Sequence, residues 1–377
     1  MSWVNGMTLQ EFLSSPAEAS KRNGPNHRIV LSSRVRLARN LRNISFPGWA
    51  KKNDRLQSLD LVKTAVESLP QMQNAFSASM DDLKMLEKQI LVERHLISRE
   101  HAAKSAGSGV VISKDESICV MINEEDHLRM QAISPGLQIR QVWMTIDEVD
   151  SSLEKSLDYA FSSTLGYLTA CPTNVGTGIR VSAMLHLPGL VLSEQINQII
   201  QAVNKLGFAV RGLYGEGTEA LGNVFQVSNQ MTLGESENEI VERLNKVLAQ
   251  LIEHEENARA ALMEKKDRMV LNHIGRAYGI LANAHSISSK ETMNLLSLMR
   301  LGLDLGLFPG VQSFLMDELF IVTQPAHLQK SISEKMTAEE RDVMRADMMR
   351  DRLNEVRRPQ FKSSGQDGTS LDKPSQA

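Results

Sequence analysis

Up to Gly234 this chain alternates short β-type runs with amphipathic helical stretches, whereas nearly every segment from there to about residue 357 has helical composition and no strand run. A fold that satisfies both halves is α+β, a large antiparallel sheet flanked by helices, followed by an all-helical domain. The switch is well marked: Ser236 and Glu239 form a capping box, and Ile240, Leu244, Val247, Leu248, Leu251 and Ile252 recur behind it at helical spacing. The boundary therefore falls between residues 233 and 256, which gives an N-terminal segment (1–27), an α+β domain (28–255), a helical domain (256–357) and a tail (358–377). From Ser363 the tail is rich in Ser, Gly, Asp, Lys and Pro, the composition of a disordered segment.

In the first part Ile29-Val30-Leu31 opens a short strand that leads into the segment from Ser32 to Asn40. A helix over 54–69 takes Asn53 as N-cap, Leu56, Leu59, Val62 and Val66 as its apolar stripe and Pro70 as its stop. Helical periodicity resumes at about 80–95, Gly107 and Gly109 break it, and 110–112 and 118–122 read as a hairpin around Lys114-Asp115-Glu116. A helix at about 138–160 and strands at 165–170 and 179–187 follow. Residues 193–206 read as a helix capped by Ser193, with Ile196, Ile199, Ile200 and Val203 buried and Gly207 ending it. Strands at about 208–213 and 222–232 complete the set.

With 377 residues, 42% hydrophobic and 23% charged, the chain can bury a sizeable core. A formal net charge of −3 gives no overall basic field for nucleic acid or an anionic membrane. No apolar run approaches the roughly 18 residues that span a bilayer, and the N-terminus lacks a signal-peptide pattern, so the expected location is the cytoplasm. Cys119 and Cys171, the two cysteines, are too few for a disulfide framework. Cys119 lies in an apolar run and reads as a small core residue.

Chemistry concentrates in a few segments. Asn123-Glu124-Glu125-Asp126-His127-Leu128-Arg129 packs three carboxylates, an imidazole and a guanidinium directly behind the run 118–122. A strand that ends in this much charge delivers it to a sheet edge or cleft, although the same segment suits a solvated acidic loop. In Ser32-Ser33-Arg34-Val35-Arg36 the alternation puts Arg34 and Arg36 on one face, where two guanidinium groups can clamp a polyphosphate; Arg39 is out of register with them. The segment from Cys171 through Pro172, Thr173, Asn174, Gly176 and Gly178 to Arg180 permits close backbone approach, and a thiol among positive charges favours the thiolate. Arg211-Gly212-Leu213-Tyr214-Gly215-Glu216 is a glycine-rich loop carrying an arginine and a carboxylate, and His95 suits stacking on a base. The common Gly-rich phosphate-binding fingerprints are absent, so a nucleotide would rest in an arginine cradle.

Taken in order, these five segments resemble the phosphagen kinase family, the arginine and creatine kinases, whose signature is Cys-Pro-Thr/Ser-Asn-x-Gly-Thr. The resemblance covers about residues 25–255. It departs from the family twice: only about thirty residues precede the Arg34–Arg36 strand where the small-molecule enzymes carry a helical domain, and Tyr214 stands where their loop has a second arginine. With the helical extension and Arg341-Asp342-Val343-Met344-Arg345-Ala346, the chain most resembles the bacterial protein arginine kinases. In that family the Arg-Asp-x-x-Arg-Ala motif forms an allosteric phosphoarginine site; at helical spacing Arg341 and Arg345 share a face, with Asp342 able to orient one of them.

The resemblance implies an ATP- and Mg²⁺-dependent protein arginine kinase with an open acceptor pocket. It makes Glu125 the base, Glu216 its partner and Cys171 a thiolate contact. It implies a nucleotide site of Ser32, Ser33, Arg34, Val35, Arg36, His95, Arg129, Arg180, Val181, Ser182, Ala183, Met184, Arg211, Gly212, Leu213, Tyr214, Gly215 and Glu216, with no separate protein metal site. The partners it implies are protein substrates, a zinc-binding activator, a Clp-type chaperone-protease and a stress-response repressor. The apolar residues Leu295, Leu296, Leu298, Met299, Leu301 and Leu303 suit either a homodimer interface or an intradomain core. Rival readings are a small-molecule phosphagen kinase and a phosphoarginine-binding adaptor without turnover.

Overall fold

The computed structural model describes residues 11–12, 24–212, 220–332 and 335–361. In chain order the elements are β1 (Val30–Arg39), α1 (Lys52–Glu67), β2 (Phe76–Ser79), α2 (Met85–Glu93), α3 (Arg99–Ala102), β3 (Gly109–Ile112), β4 (Ile118–Ile122), β5 (Leu128–Pro135), α4 (Ile139–Glu154), β6 (Phe161–Ser162), β7 (Gly166–Tyr167), β8 (Ile179–His186), α5 (Pro188–Leu192), α6 (Ile196–Lys205), β9 (Phe208–Gly212) and β10 (Val224–Asn229). Helices α7 (Glu237–Lys265), α8 (Asp267–Leu281), α9 (Ser289–Asp304), α10 (Phe314–Val322), α11 (Pro325–Ile332) and α12 (Ala338–Leu353) follow. The expected fold class, an antiparallel sheet flanked by helices with a helical C-terminal region, is what the chain adopts.

Eight strands form one antiparallel sheet in the order β2-β3-β4-β5-β1-β8-β10-β9. Its two faces differ because side chains alternate along a strand. Val35, Leu37, Met130, Val181, Leu185 and Val227 are buried on one face, against Ile139, Val142, Ile146 and Val149 of α4 and Leu244, Leu248 and Leu251 of α7. The other face is apolar only under α2, where Cys119 and Met121 join Leu91, Leu96 and Ile97. Over β5, β1, β8 and β9 that face carries Arg129, Arg34, Arg36, Arg180 and Arg211 instead.

Several boundaries move for local reasons. Helix α1 begins at Lys52 because Asp54 reaches back to accept from Lys51 N at 3.3 Å, and Leu56 of the expected stripe is exposed while Leu59, Val62 and Val66 are buried. Ser193 ends α5 rather than capping α6, since Glu194 has φ +63° and separates the two helices. The strand expected at 165–170 shrinks to Gly166–Tyr167, because Gly166 (φ +77°) turns the chain directly after β6. The capping box at Ser236 and Glu239 starts α7 as expected.

Helix α7 runs unbroken through residue 256: Ile240 to Ala258 lie in the main core, and Leu262 belongs to a second core built from α8 to α12. That second core takes in Leu296, Met299 and Leu301, with the half-buried Leu295, Leu298 and Leu303 packed against it. Gln360 N still donates to Leu307 O, so the tail is tied down at this point, and residues 362–377 lie outside the described residues.

The seam between the cores is polar but paired. Glu255, fully buried, accepts from Gly189 N (2.8 Å), Leu190 N (2.9 Å) and Arg259 Nε (2.6 Å), while Arg259 also reaches Asp304 at 2.9 Å. Arg300 donates to His27 O and Asp317. A second tie lies at α11, where Glu93 of α2 accepts from Ala326 N (2.8 Å) and His327 N (3.0 Å), and His327 Nδ1 lies 2.6 Å from its carboxylate.

Removing one member of a buried ion pair leaves the rest uncompensated. Glu255→Ala is expected to lower stability by about 3 kcal/mol, read as a fall in thermal midpoint, whereas an exposed change such as Lys114→Ala should leave the midpoint nearly unmoved.

Candidate active site

One cleft on the polar face of the sheet gathers nearly all the motif residues that are described. Its two lobes have volumes of about 640 and 700 Å³ and share Arg34, Arg36, Glu100, Arg129, Arg211 and Gln226. The first lobe continues past His95, Ile97 and Ser98; the second ends at Glu124, Glu125, Cys171, Thr173, Asn174 and Arg180. Cations outnumber carboxylates in the second lobe, six against three, so an anion is favoured between the lobes.

Strand register builds the cationic floor. Arg36 lies opposite Gln131 and Arg180, and Arg34 opposite Ser182. Arg34 donates to Gln226 Oε1 at 3.1 Å and Arg180 to Ser228 Oγ at 3.3 Å, both neutral acceptors. Arg36 Nε is buried without a hydrogen-bond partner. Burial, reinforced by Arg34, Arg129 and Arg180, holds the Arg36 pKa well below its ordinary value; burial and Arg211 lower Arg180 likewise. Such a cluster is electrostatically strained until an anion enters.

The β4–β5 turn divides its charges among separate tasks. Asn123 takes a left-handed backbone (φ +56°) and donates from Nδ2 to Gly107 O (2.6 Å) and Arg55 O (2.9 Å). Glu124, 1% exposed, pairs with Arg129 at 2.5 Å and accepts from Ser98 Oγ. Burial opposes the charge on Glu124, but Arg129 and Ser98 outweigh it and leave the pKa low. Asp126, fully buried, accepts from Asn40 Nδ2 (2.5 Å) and Ala170 N (2.6 Å), which latches this turn to the Cys171 loop. His127 is buried and accepts from Leu41 N, and desolvation lowers its pKa to about 4, so its part is structural. Glu125 alone of the three carboxylates is exposed to the cleft, where Asn174 Nδ2 approaches at 3.4 Å. Partial desolvation, then Asp126, raises its pKa.

The loop from Cys171 to Gly178 is held by backbone contacts. Thr232 Oγ1 donates to Thr173 O (2.9 Å) and Val175 O (2.8 Å), and Thr177 N donates to Thr232 O at 2.9 Å. A Cβ on Gly176 (φ +110°) would lie 2.3 Å from Thr232 O, so only glycine fits there. Cys171 is half-buried, with Sγ 3.0 Å from Thr173 Oγ1.

Some expected residues are placed elsewhere. Alternation turns Ser33, Val35, Val181 and Ala183 to the buried apolar face, so their side chains cannot line the cleft; Ser33 Oγ instead donates to Gly136 O. Ser32, Ser182 and Met184 lie on the arginine face but are not among the residues lining either lobe. His95 (φ +60°) lines the first lobe, and burial with Arg34 nearby lowers its pKa to about 4, leaving a neutral ring. Gly212 borders the second lobe, whereas Leu213, Tyr214, Gly215 and Glu216 lie outside the described residues. Cys119 is the expected core thiol, its pKa pushed up by burial.

In α12, Arg345 is 1% exposed, its Nε and Nη1 donating to Thr323 O (2.8 Å), Ile287 O (2.9 Å) and Asp342 (2.5 Å). It is therefore a buried strut and does not stand free beside Arg341, and its pairing with Asp342 lets that carboxylate orient it as the spacing suggested. Arg341 and Met344 are half-buried, Val343 is exposed and Ala346 is buried.

The strand alternation alone does not reveal Gln131, Gln226 and Ser228, whose neutral groups hold the loop and the arginines; pairing register supplies them. Ser98 and Asn40 are likewise visible only once Glu124 and Asp126 are placed.

Residues 57–258 match the family described as ATP:guanido phosphotransferase, C-terminal catalytic domain, and residues 267–364 match the Protein-arginine kinase McsB C-terminal domain. The chain is 48% identical over 349 residues to the protein-arginine kinase of Halalkalibacterium halodurans, covering 92% of this chain and 98% of that one. To the protein-arginine kinase of Bacillus subtilis it is 45% identical over 351 residues, covering 92% and 96%. Among solved structures, lombricine kinase superposes with a TM-score of 0.56 at 23% identity, over 66% of this chain and 72% of that chain. The duplicated taurocyamine kinase of Schistosoma mansoni gives 0.57 at 24% identity, over 66% and 38%. At such identity the likeness speaks to the fold.

The like-charge floor makes a prediction with two signs. Arg36→Met should weaken binding of inorganic tripolyphosphate by roughly tenfold or more, a charge-assisted hydrogen bond being worth about 1.5–3 kcal/mol. The same change should leave the thermal midpoint of the free protein unchanged or raised. Calorimetric titration and thermal unfolding read the two effects.

Proposed function

The chain belongs to the ATP:guanido phosphotransferase family, in the branch of the protein-arginine kinases, and on that premise we propose that it transfers the γ-phosphoryl group of ATP to the guanidinium of arginine residues in proteins. The observation that carries this reading is a cleft that gathers Arg34, Arg36, Arg129, Arg180 and Arg211, with Glu125 and Cys171 at one end. An anionic donor and a cationic acceptor are thereby favoured at adjoining places.

Guanidinium nitrogen is a poor nucleophile, because its lone pairs are delocalised and its pKa exceeds about 12. Glu125 aligns one nitrogen and accepts its proton as the N–P bond forms and the bond from Pγ to the bridging oxygen of ADP breaks. The raised pKa of Glu125 suits a base, and the orientation set by Asn174 and by the latch at Asp126 keeps it beside Cys171. Cys171 contacts the remaining guanidinium nitrogens, and Glu216, outside the described residues, is the second carboxylate. Arg34, Arg36, Arg129, Arg180 and Arg211 hold the phosphates, whose charge spreads over the transferring oxygens. Their clustered positive charge fits ATP, and Mg²⁺, when bound, adds charge neutralisation on the phosphates. The neutral His95 packs at the nucleotide end.

The finer parts of the reading belong to the same proposal. They are a homodimer, a cytoplasmic location, a zinc-binding activator, marking of proteins for Clp-type degradation, and action on a stress-response repressor. Among the described residues no helix is long and apolar enough to cross a membrane. Arg341 and the carboxylate of Asp342 are the groups left to meet phosphoarginine, with Arg345 as their support.

Incubation with Mg-ATP and either free arginine or a folded protein, followed by phosphorus NMR of acid-labile phosphate, tests the acceptor. Protein should be modified faster, and faster turnover of free arginine would overturn the reading. Glu125→Ala should reduce transfer by about 10²–10⁴-fold while leaving nucleotide binding intact. Because the Glu125 pKa is raised, the basic form is lost on acidification from a pH above the ordinary carboxylate value of about 4.3, and the acid limb of the rate profile should start correspondingly early.

A further inference from the structure

Two charged side chains of the second lobe have no part in the phosphoryl transfer, and they stand four residues apart on α3 and just behind it. Lys104 lines the second lobe, and Glu100 lines both lobes. Glu100 is exposed and Lys104 half-buried, and among the described residues neither side chain has an ion-pair or hydrogen-bond partner. The place of Glu100 is set by its neighbours. Ser98 caps α3 by accepting from His101 N at 2.9 Å, and the same hydroxyl donates to Glu124 in the β4–β5 turn. His101 is fully buried, with Nε2 2.9 Å from Gly109 O. The start of α3 is thereby held against the turn. Glu100 follows the capping serine by two residues, and Glu125 follows by one the carboxylate that this serine meets. Glu100 is close enough for its charge to act on Glu125, where it adds to burial, Asp126 and Glu124 in raising the pKa against the opposing pull of Arg129.

Charge decides what such a carboxylate can do. An arginine that enters the second lobe is a cation approaching six others, Arg34, Arg36, Lys104, Arg129, Arg180 and Arg211. Of the three carboxylates there, Glu124 is committed to Arg129 and Ser98, which leaves Glu125 and Glu100. A guanidinium carries five N–H donors in one plane, more than Glu125 can accept while it draws the proton from the attacking nitrogen. Resting on the reading that the acceptor is an arginine side chain, we infer that Glu100 binds the acceptor guanidinium from the α3 wall of the cleft, as a carboxylate additional to Glu125, and offsets the arginine floor for the incoming cation. Its part is binding and not proton transfer, since the proton goes to Glu125. Because Glu100 belongs to both lobes, it stands where phosphate and guanidinium meet. A carboxylate at that seam attracts the guanidinium and repels phosphate oxygens, so it favours the acceptor and weakens the hold on the nucleotide.

The test uses the full-length protein with Mg-ATP and a peptide that contains one arginine. Glu100→Gln keeps the shape of the side chain and removes its charge, whereas Glu100→Asp keeps the charge. Glu100→Gln should raise KM for the peptide by about tenfold or more, the worth of one charge-assisted hydrogen bond, with kcat changed less, and Glu100→Asp should recover part of the loss. The calorimetric Kd of ATP without acceptor should be unchanged or lower in Glu100→Gln. The acid limb of kcat/KM should move to lower pH, because removing a like charge lets Glu125 stay ionised further into acid, a shift that mere disturbance of α3 would not produce. An unchanged KM for the peptide overturns the inference. So does a loss of ATP affinity that appears with Mg²⁺ and vanishes with EDTA, since Glu100 then serves the metal. An equal loss in both variants together with a lowered thermal midpoint also overturns it, as the effect is then structural. A wild type that transfers no phosphoryl group to any arginine, in peptide or protein, sinks the acceptor reading and this inference with it, whereas an active wild type matched by Glu100→Gln sinks the inference alone.

Discussion

Strand β1 lies between β5 and β8, and its alternation sets what both faces of the sheet can be. Val35 and Leu37 point into the apolar core, and Arg34 and Arg36 therefore point the other way, into the cleft. Moving the register by one residue would bury two guanidinium groups in a core of aliphatic side chains and expose two aliphatic ones to the cleft, a reversal that would cost far more than any local adjustment could recover. The arrangement of charges is thus fixed by hydrophobic packing on the opposite side. Strands β5, β8 and β9 add Arg129, Arg180 and Arg211 because the ladder aligns them with β1.

Carboxylates in this cleft are distributed to avoid cancelling the cluster. Glu124 neutralises Arg129 only, Asp126 is spent on Asn40 and Ala170 N, and Glu125 remains open to solvent. One turn of seven residues therefore supplies a counter-ion, a latch and a carboxylate open to the cleft. The latch explains how two segments more than forty residues apart line one end of the cleft.

Much of this was legible in the sequence because the relevant signals are local. The run before Asn123, the Arg34–Arg36 alternation and the capping box at Ser236 each state a face or an end without reference to the rest of the chain. What was not legible depends on partners that are remote in sequence. Ser33, Val35, Val181 and Ala183 sit in the same motifs as true cleft residues, and only pleat parity separates them. Arg345 looks like an exposed helical arginine until Thr323 and Ile287 come around it. The leucines from 295 to 303 looked too apolar for one helix face because α9 is enclosed by neighbours on several sides. Ser193 had the residue type of an N-cap, but the left-handed backbone at Glu194 made it the end of a preceding helix.

The grip of Glu93 on the start of α11 has a bearing on how independent the two units are. Val92, His95 and Ile97 form a wall of the first lobe, and they adjoin a carboxylate whose hydrogen bonds come from Ala326 and His327 in the helical domain. Arg345 meanwhile fastens α12 to the carbonyl of Thr323, two residues ahead of α11. That wall of the cleft is thus held by hydrogen bonds from the C-terminal helices. Two units that look separable by their cores share a polar joint at the cleft, and α12 is tied to the stretch that leads into it.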